Sequence, residues 1–234
     1  GDTAEERTLI EKFYSDNYEV HYNKIYEILI DPDKKTLTDE ERELIISTVI
    51  TMFYRTTKWI NLHNEFSNRV LEQAYFMCQQ TGKDYFMFEK QKISVAGKTL
   101  EQLQKENKYE NRPAQILTQL QVALRLIKLR TIRDGIYVSK LVDENCEFIT
   151  SDNAVVYSNI NSGHAAPFDP TNILKLPLDN KHMLFLMPYS DKETKHLILR
   201  HNVSGKTCFT EKLTSNYEQF RNSERFLLGS DSSL

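Results

Sequence analysis

The sequence predicts an α+β protein: a helical N-terminal half packed against a small, mostly antiparallel sheet, with a helix near the C-terminus. Three observations carry this. A capped stretch beginning at Thr38 places apolar residues at 3.6-residue spacing. From Asp134-Gly135 onward the apolar runs are short, β-branched or aromatic, and bounded by turn residues. Seven glycines and six prolines in 234 residues are too few for an all-β fold of tight turns, or for a disordered chain.

The elements follow in order. Thr38-Asp39-Glu40-Glu41 reads as a capping box, in which the Thr hydroxyl accepts from the N3 amide and Glu41 reaches back. The helix behind it is expected to run to about residue 62, with Ile45, Ile46, Val49, Ile50, Phe53, Thr57 and Ile60 on one side, and to break near His63-Asn64. A second segment, Glu65 to Gln80, ends at Thr81-Gly82, a C-cap pattern. Residues 83–97 are ambiguous. Pro113 suits the first turn of a helix over 113–132. That helix is apolar around much of its circumference, as expected of a central one. Strands are predicted at Ile136–Val138, Phe148-Ile149, Ala154–Tyr157, Ile173–Pro177, Met183–Met187 and His196–Leu199. A helix follows over Leu213–Glu224, and then a last strand over Arg225–Leu228. The expected organisation is a helical region over 1–132 and a β-rich region over 133–229 with one helix. Together they are read as one integrated domain with a polar tail at 230–234.

Composition narrows the classes of function. The formal net charge is −3 and the pI about 6.1, so whole-chain electrostatics do not favour nucleic acid or an anionic membrane. No run of eighteen apolar residues occurs, and no membrane span is expected. Cys78, Cys146 and Cys208 are odd in number and lack paired spacing, which gives neither a disulfide framework nor a zinc knuckle. This suits a reducing interior, and the expected location is cytoplasmic. No metal-ligating set is expected.

Candidate chemistry centres on FITSDNAVVY, residues 148–157. Ser151, Asp152 and Asn153 leave a strand end together. Asp-Asn between strands is common turn chemistry, because both side chains bond their own backbone. The functional reading is that a hydroxyl, a carboxylate and an amide bind a polar ligand, orient water or hold a divalent metal. Tyr14, Tyr18, Tyr22 and Tyr26 recur every four residues and read as a packing face with phenol tips in water. Arg125, Lys128, Arg130 and Arg133 scatter around their helix and read as its solvated ends. His196 and His201 have no metal spacing. Cys78 reads as core.

Several stretches resemble domain-of-unknown-function family 4238, found mainly in bacteria. FITSDNAVVY is similar to its FITSDNPV strand-turn-strand, with Ala154 where Pro is usual. LTDEERELIISTVITMFYRTTKW is similar to its capped helix, and Arg55 matches an Arg before a Thr. NILKLPLDNKHMLFLMP resembles its "PLs" strand pair, and NYEQFRNSERFLLG its closing helix and strand. Members usually begin with a segment like HYVPQFYL. Residues 1–234 carry none, and their first histidine is His21; either the segment lies upstream of them or the chain is a divergent member, and if the family's site uses that histidine, the site is incomplete in these residues. The resemblance supplies no activity. It brings Arg55 in by position, on the helix flank between Leu44, Met52 and Trp59. There it either pairs with a carboxylate such as Asp152 or lays its stem along Trp59.

Two functions compete. In the first, a polar ligand or phosphoester site lies at the strand turn. Asp152 holds a metal or acts as base, Ser151 and Asn153 bind substrate, and Arg55 stabilises negative charge. In the second, the chain is a non-catalytic interaction module of a bacterial accessory or defence system, with a protein partner. A small-molecule pocket between helices and sheet is a third.

Overall fold

The structure is a computed structural model that describes residues 12, 16, 19–54, 56–88, 91–110, 112–159, 166, 167, 169–188, 191 and 193–230. It is mixed α+β. The chain divides into two compact units, one of Thr57–Gln121 and one of the described residues up to Thr56 and from Val122 onward.

The smaller unit contains helix α3 (Thr57–Thr81), a hairpin of β1 (Tyr85–Phe88) and β2 (Gln91–Ser94), helix α4 (Leu100–Glu110) and the start of α5 (Arg112–Arg133). Gly82 ends α3 at φ +66°, and the Lys83 amide donates back to the Cys78 carbonyl at 3.1 Å. That back-bond satisfies one of the last helical carbonyls. α4 opens on a second capping box. The Thr99 hydroxyl accepts from the Gln102 amide, and the Gln102 side chain accepts from the Thr99 amide. Cys78, Val95 and Leu103 form the core, with Tyr75, Phe86 and Ile93 packed against it.

The larger unit holds a 3-10 turn at Glu19–His21, α1 (Tyr22–Ile30), α2 (Asp39–Tyr54), the rest of α5, β3 (Gly135–Leu141), β4 (Thr150–Ser151), β5 (Val156–Ser158), β6 (Ile173–Pro177), β7 (His182–Met187), β8 (Ile198–Val203), α6 (Gly205–Asn222) and β9 (Leu227–Leu228). A five-stranded sheet runs β5-β6-β7-β3-β8, with β3 and β8 parallel and the other pairs antiparallel. β4 and β9 pair separately. The box at Thr38 forms as the sequence dictates: Glu41 accepts from the Thr38 amide at 2.9 Å, and the Thr38 hydroxyl accepts from the Glu41 amide at 3.2 Å. Behind it Ile45, Ile46, Val49, Ile50 and Phe53 are buried.

Several expectations need correction. The first long helix stops at Tyr54, where the Thr56 hydroxyl takes the Phe53 carbonyl, and α3 runs unbroken through 63–64. Residues 83–97 hold a hairpin, so the first half is not wholly helical. The late helix starts at Gly205 rather than Leu213. α5 is not apolar core all round: Leu124 and Ile132 are 48% and 63% exposed. Arg130, read as a solvated end, is 2% exposed. Of the tyrosine series, Tyr14 and Tyr18 lie outside the described residues.

Arg130 belongs to a buried network at the exit of α5. Its Nε donates to the Asp134 carboxylate, and its Nη2 donates to the carbonyls of Asn172 (2.7 Å) and Leu186 (3.3 Å). Arg42 of α2, also fully buried, donates to the carbonyls of Thr131 (2.9 Å), Lys195 (2.6 Å) and Asp134. Burial pushes the Asp134 carboxyl up to about 6, against the pull of Arg130, Arg133 and Arg42. At pH 7.5 it is therefore ionised and paired. Replacing Asp134 with Ala strands the Arg130 guanidinium and is expected to cost about 3–5 kcal/mol. The double variant Asp134→Ala, Arg130→Met should cost less than the single. Urea midpoints of the three proteins check the order.

Candidate functional site

The stretch around Ser151-Asp152-Asn153 is laced to α6. Three amide side chains leave that helix at three-residue spacing. Asn216 accepts from the Ile149 amide and donates to the Glu147 carbonyl, both at 3.0 Å. Gln219 accepts from the Ser151 hydroxyl at 2.8 Å and donates to the Ala154 carbonyl at 2.7 Å. Asn222 donates to the carbonyls of Asn153 and Val155, and its own carbonyl accepts from the Asn153 side chain at 3.0 Å. A primary amide carries both a donor and an acceptor, so each one substitutes for a neighbouring strand. Ser151 and Asn153 are buried by this arrangement.

Asp152 is exposed and reaches the chain just beyond the end of α6. Its two carboxylate oxygens accept from the amides of Glu224 (3.0 Å) and Arg225 (2.9 Å), and its amide faces the Phe226 carbonyl at 3.4 Å. Desolvation pushes its pKa up. The amides of Glu224, Arg225 and Phe226 outweigh that and leave the carboxyl below its ordinary value. The turn thus brings Ser151, Asp152 and Asn153 together as anchors for α6 and the chain beyond it. Arg55 lies outside the described residues. Sequence reasoning missed Asn216, Gln219 and Asn222 as partners, although three amides at i, i+3 and i+6 in a charged helix are a visible signal.

Beside this lacing lies a cavity of about 440 Å³. Met52, Ile149, Ala154, Leu176, Leu178 and Leu228 supply apolar wall, and Tyr22, Thr150 and Asp179 supply polar edge. Each of the four stretches that resemble the family contributes to this lining. Asp179 closes the β6–β7 hairpin: its carboxylate accepts from the amides of Lys181 and His182, both at 2.7 Å, in an Asx turn. It also accepts the Tyr26 hydroxyl at 2.8 Å, and His182 Nδ1 lies 2.9 Å away. Burial pushes its pKa up, but His182, Lys181 and Tyr26 prevail and hold it far below the usual carboxylate range. The Tyr22 phenol is raised, first by burial and then by Asp179.

Among the described residues no trio of metal-ligating side chains meets at the turn; such a trio is formed by Asp143, Cys146 and Cys208. No described helix is long and apolar enough to cross a membrane. Fold and site together define a mixed α+β protein with a cavity of about 440 Å³ walled by a laced strand turn and a hairpin. The chain belongs to the family described as protein of unknown function (DUF4238), whose model matches residues 1–233. No curated protein and no solved structure matches it.

Gln219→Ala strands a buried hydroxyl and a carbonyl and is expected to cost about 2–3 kcal/mol, whereas Asp152→Ala, at an exposed carboxylate, costs about 1 kcal/mol. Chemical denaturation of both variants checks the ranking. Asp179 carries a pH signature. Its folded pKa lies below its unfolded value of about 4, so its contribution is complete above that value and is lost as pH falls through the folded pKa. Melting temperatures from pH 7 down to about 2 should fall less steeply in Asp179→Asn than in the parent.

Proposed function

We propose that this protein binds a small, uncharged, largely apolar molecule in the cavity beside the Ser151-Asp152-Asn153 turn. The convergence of four sequence stretches on one cavity of about 440 Å³ carries this reading. The size falls within the roughly 300–1,000 Å³ of small-molecule sites, which are mostly apolar with a few placed polar groups. The Tyr22 phenol is the group suited to orient the ligand. The charged group in the lining is a carboxylate, Asp179, which repels anions. A phosphoester therefore suits this cavity less well than a neutral molecule.

The test is a thermal-shift screen of neutral fragments, repeated on Ala154→Phe, whose ring fills the cavity. A ligand at one hundred times its dissociation constant should stabilise the parent by about 2.7 kcal/mol. It should leave Ala154→Phe unmoved. A screen without hits, or hits that shift both proteins equally, would overturn the reading.

One observation favours a second reading, a protein-interaction module. Phe209, Leu213, Tyr217 and Phe220 are each more than half exposed along one face of α6. Their spacing keeps them in one stripe, opposite the buried Cys208, Ser215 and Gln219. Such a stripe fits the apolar face of a helix on another protein. Leu213→Glu would abolish that contact in a pull-down while leaving ligand-induced stabilisation intact, which separates the two readings.

A further inference from the structure

Asp143, Cys146 and Cys208 offer one carboxylate oxygen and two sulfurs, all within 4.8 Å of one another. The two cysteines are separated in sequence by most of the sheet. We propose that these three side chains form a binding site for a thiophilic divalent cation of the zinc type.

The donor set selects the ion. Thiolates favour zinc and cadmium over magnesium and calcium, and a carboxylate is an accepted third ligand. Zinc–sulfur bonds of about 2.3 Å in a tetrahedron put neighbouring donors about 3.8 Å apart. Donors already within 4.8 Å need only side-chain rotation to close on an ion. Three protein ligands leave a fourth position for water.

The surroundings are organised for those ligands. The Gly205 amide donates to Asp143 Oδ2 at 2.8 Å and orients the carboxylate. Gly205 does this at φ +59°, a conformation costly for a residue with a Cβ. The loop that carries Asp143 and Cys146 is gathered by one ammonium: Lys181 Nζ donates to the carbonyls of Asp143 (3.1 Å), Glu144 (2.9 Å) and Cys146 (2.8 Å). Cys208 sits in the first turn of α6, facing the loop that carries the other two ligands. Leu141, Phe148, Met183 and Val203 pack with the two cysteines in one buried cluster.

The charges also balance. Binding replaces two thiol protons, released to water, with two metal–sulfur bonds, and the carboxylate adds a third bond. A divalent ion with two thiolates and one carboxylate carries a net charge of −1. The Lys181 ammonium behind the loop offsets it.

The experiment titrates the reduced full chain with Cd²⁺ and follows the ultraviolet thiolate-to-cadmium charge-transfer band, with Zn²⁺ as competitor. One Cd²⁺ per chain is expected, displaced by Zn²⁺. Cys146→Ser and Cys208→Ser should each lose the band or weaken binding by about 100-fold or more, while Cys78→Ser, outside the cluster, keeps it. Asp143→Asn alters a partly exposed side chain, so folding survives. It should weaken binding by about 10–100-fold and leave the melting temperature without metal close to the parent's. A second readout is thiol counting in the native protein, where Zn²⁺ should protect two of the three cysteines from a thiol reagent. The proposal fails if the reduced parent shows no band, if Cys78→Ser loses it as fully as Cys146→Ser, or if Asp143→Asn binds like the parent.

Discussion

Two buried guanidiniums at the C-terminal end of α5 hold the larger unit together. A helix leaves its last carbonyls without intrahelical partners, and burying that end is costly unless donors are supplied. Arg42 supplies them to Thr131 and Asp134 from α2, and reaches the Lys195 carbonyl ahead of β8 as well. Arg130 takes the Asp134 carboxylate and extends to carbonyls at Asn172, just before β6, and Leu186 in β7. Two helices and the strands β6, β7 and β8 therefore meet at one charged knot. β3 starts at Gly135, immediately after Asp134, so no loop absorbs an error in the direction of α5. The knot sets where β3, the strand between β7 and β8, begins and in which direction it runs.

A second constraint follows from what the sheet leaves out. Residues 147–155 contribute only the two-residue β4, paired to β9, and most of their main-chain polar groups find no strand beside them. Buried main-chain groups must be bonded somewhere. The amides of Asn216, Gln219 and Asn222 do this from α6, and Asp152 extends the same logic past the helix by holding the amides of Glu224 and Arg225. The lacing fixes the position of Leu228, and with it one wall of the cavity.

What could be read in the sequence was local. The Thr38 box, the Gly82 cap and the apolar face of α2 depend on residues a few positions apart, and they form as the spacing dictates. What could not be read was long-range. A helical wheel treats Arg130 as a surface charge: its partner Asp134 is only four residues on, but the two carbonyls that bury it lie 42 and 56 residues away. Turn chemistry describes Ser151 and Asn153 adequately until α6 arrives, 68 and 69 residues later, with matching amides. The start of α6 was hidden because Ser204-Gly205 resembles a turn, and because exposed Phe209 and Leu213 disguise which face is buried. Cys146 and Cys208 show no spacing motif, since the fold alone makes them neighbours.

These constraints bear jointly on what the cavity can accept. Of the polar groups around it, the Ser151 hydroxyl is engaged by Gln219, and the Asp179 carboxylate by two amides, a phenol and an imidazole. The Asn180 side chain donates to Glu147. Groups already bonded gain little from a ligand and resist rearrangement, because releasing them forfeits bonds made in a dry environment. What the walls still offer is hydrocarbon from Met52, Leu176, Leu178 and Leu228, and polar edges at Tyr22 and Thr150. Affinity for the proposed ligand would come from excluded water and shape, at roughly 25 cal/mol per Å² of apolar surface covered. A charged ligand would have to shed its hydration for partners that are already engaged. The same bonding that engages the polar groups of the strand turn therefore supports the proposal of a neutral, apolar occupant for the neighbouring cavity.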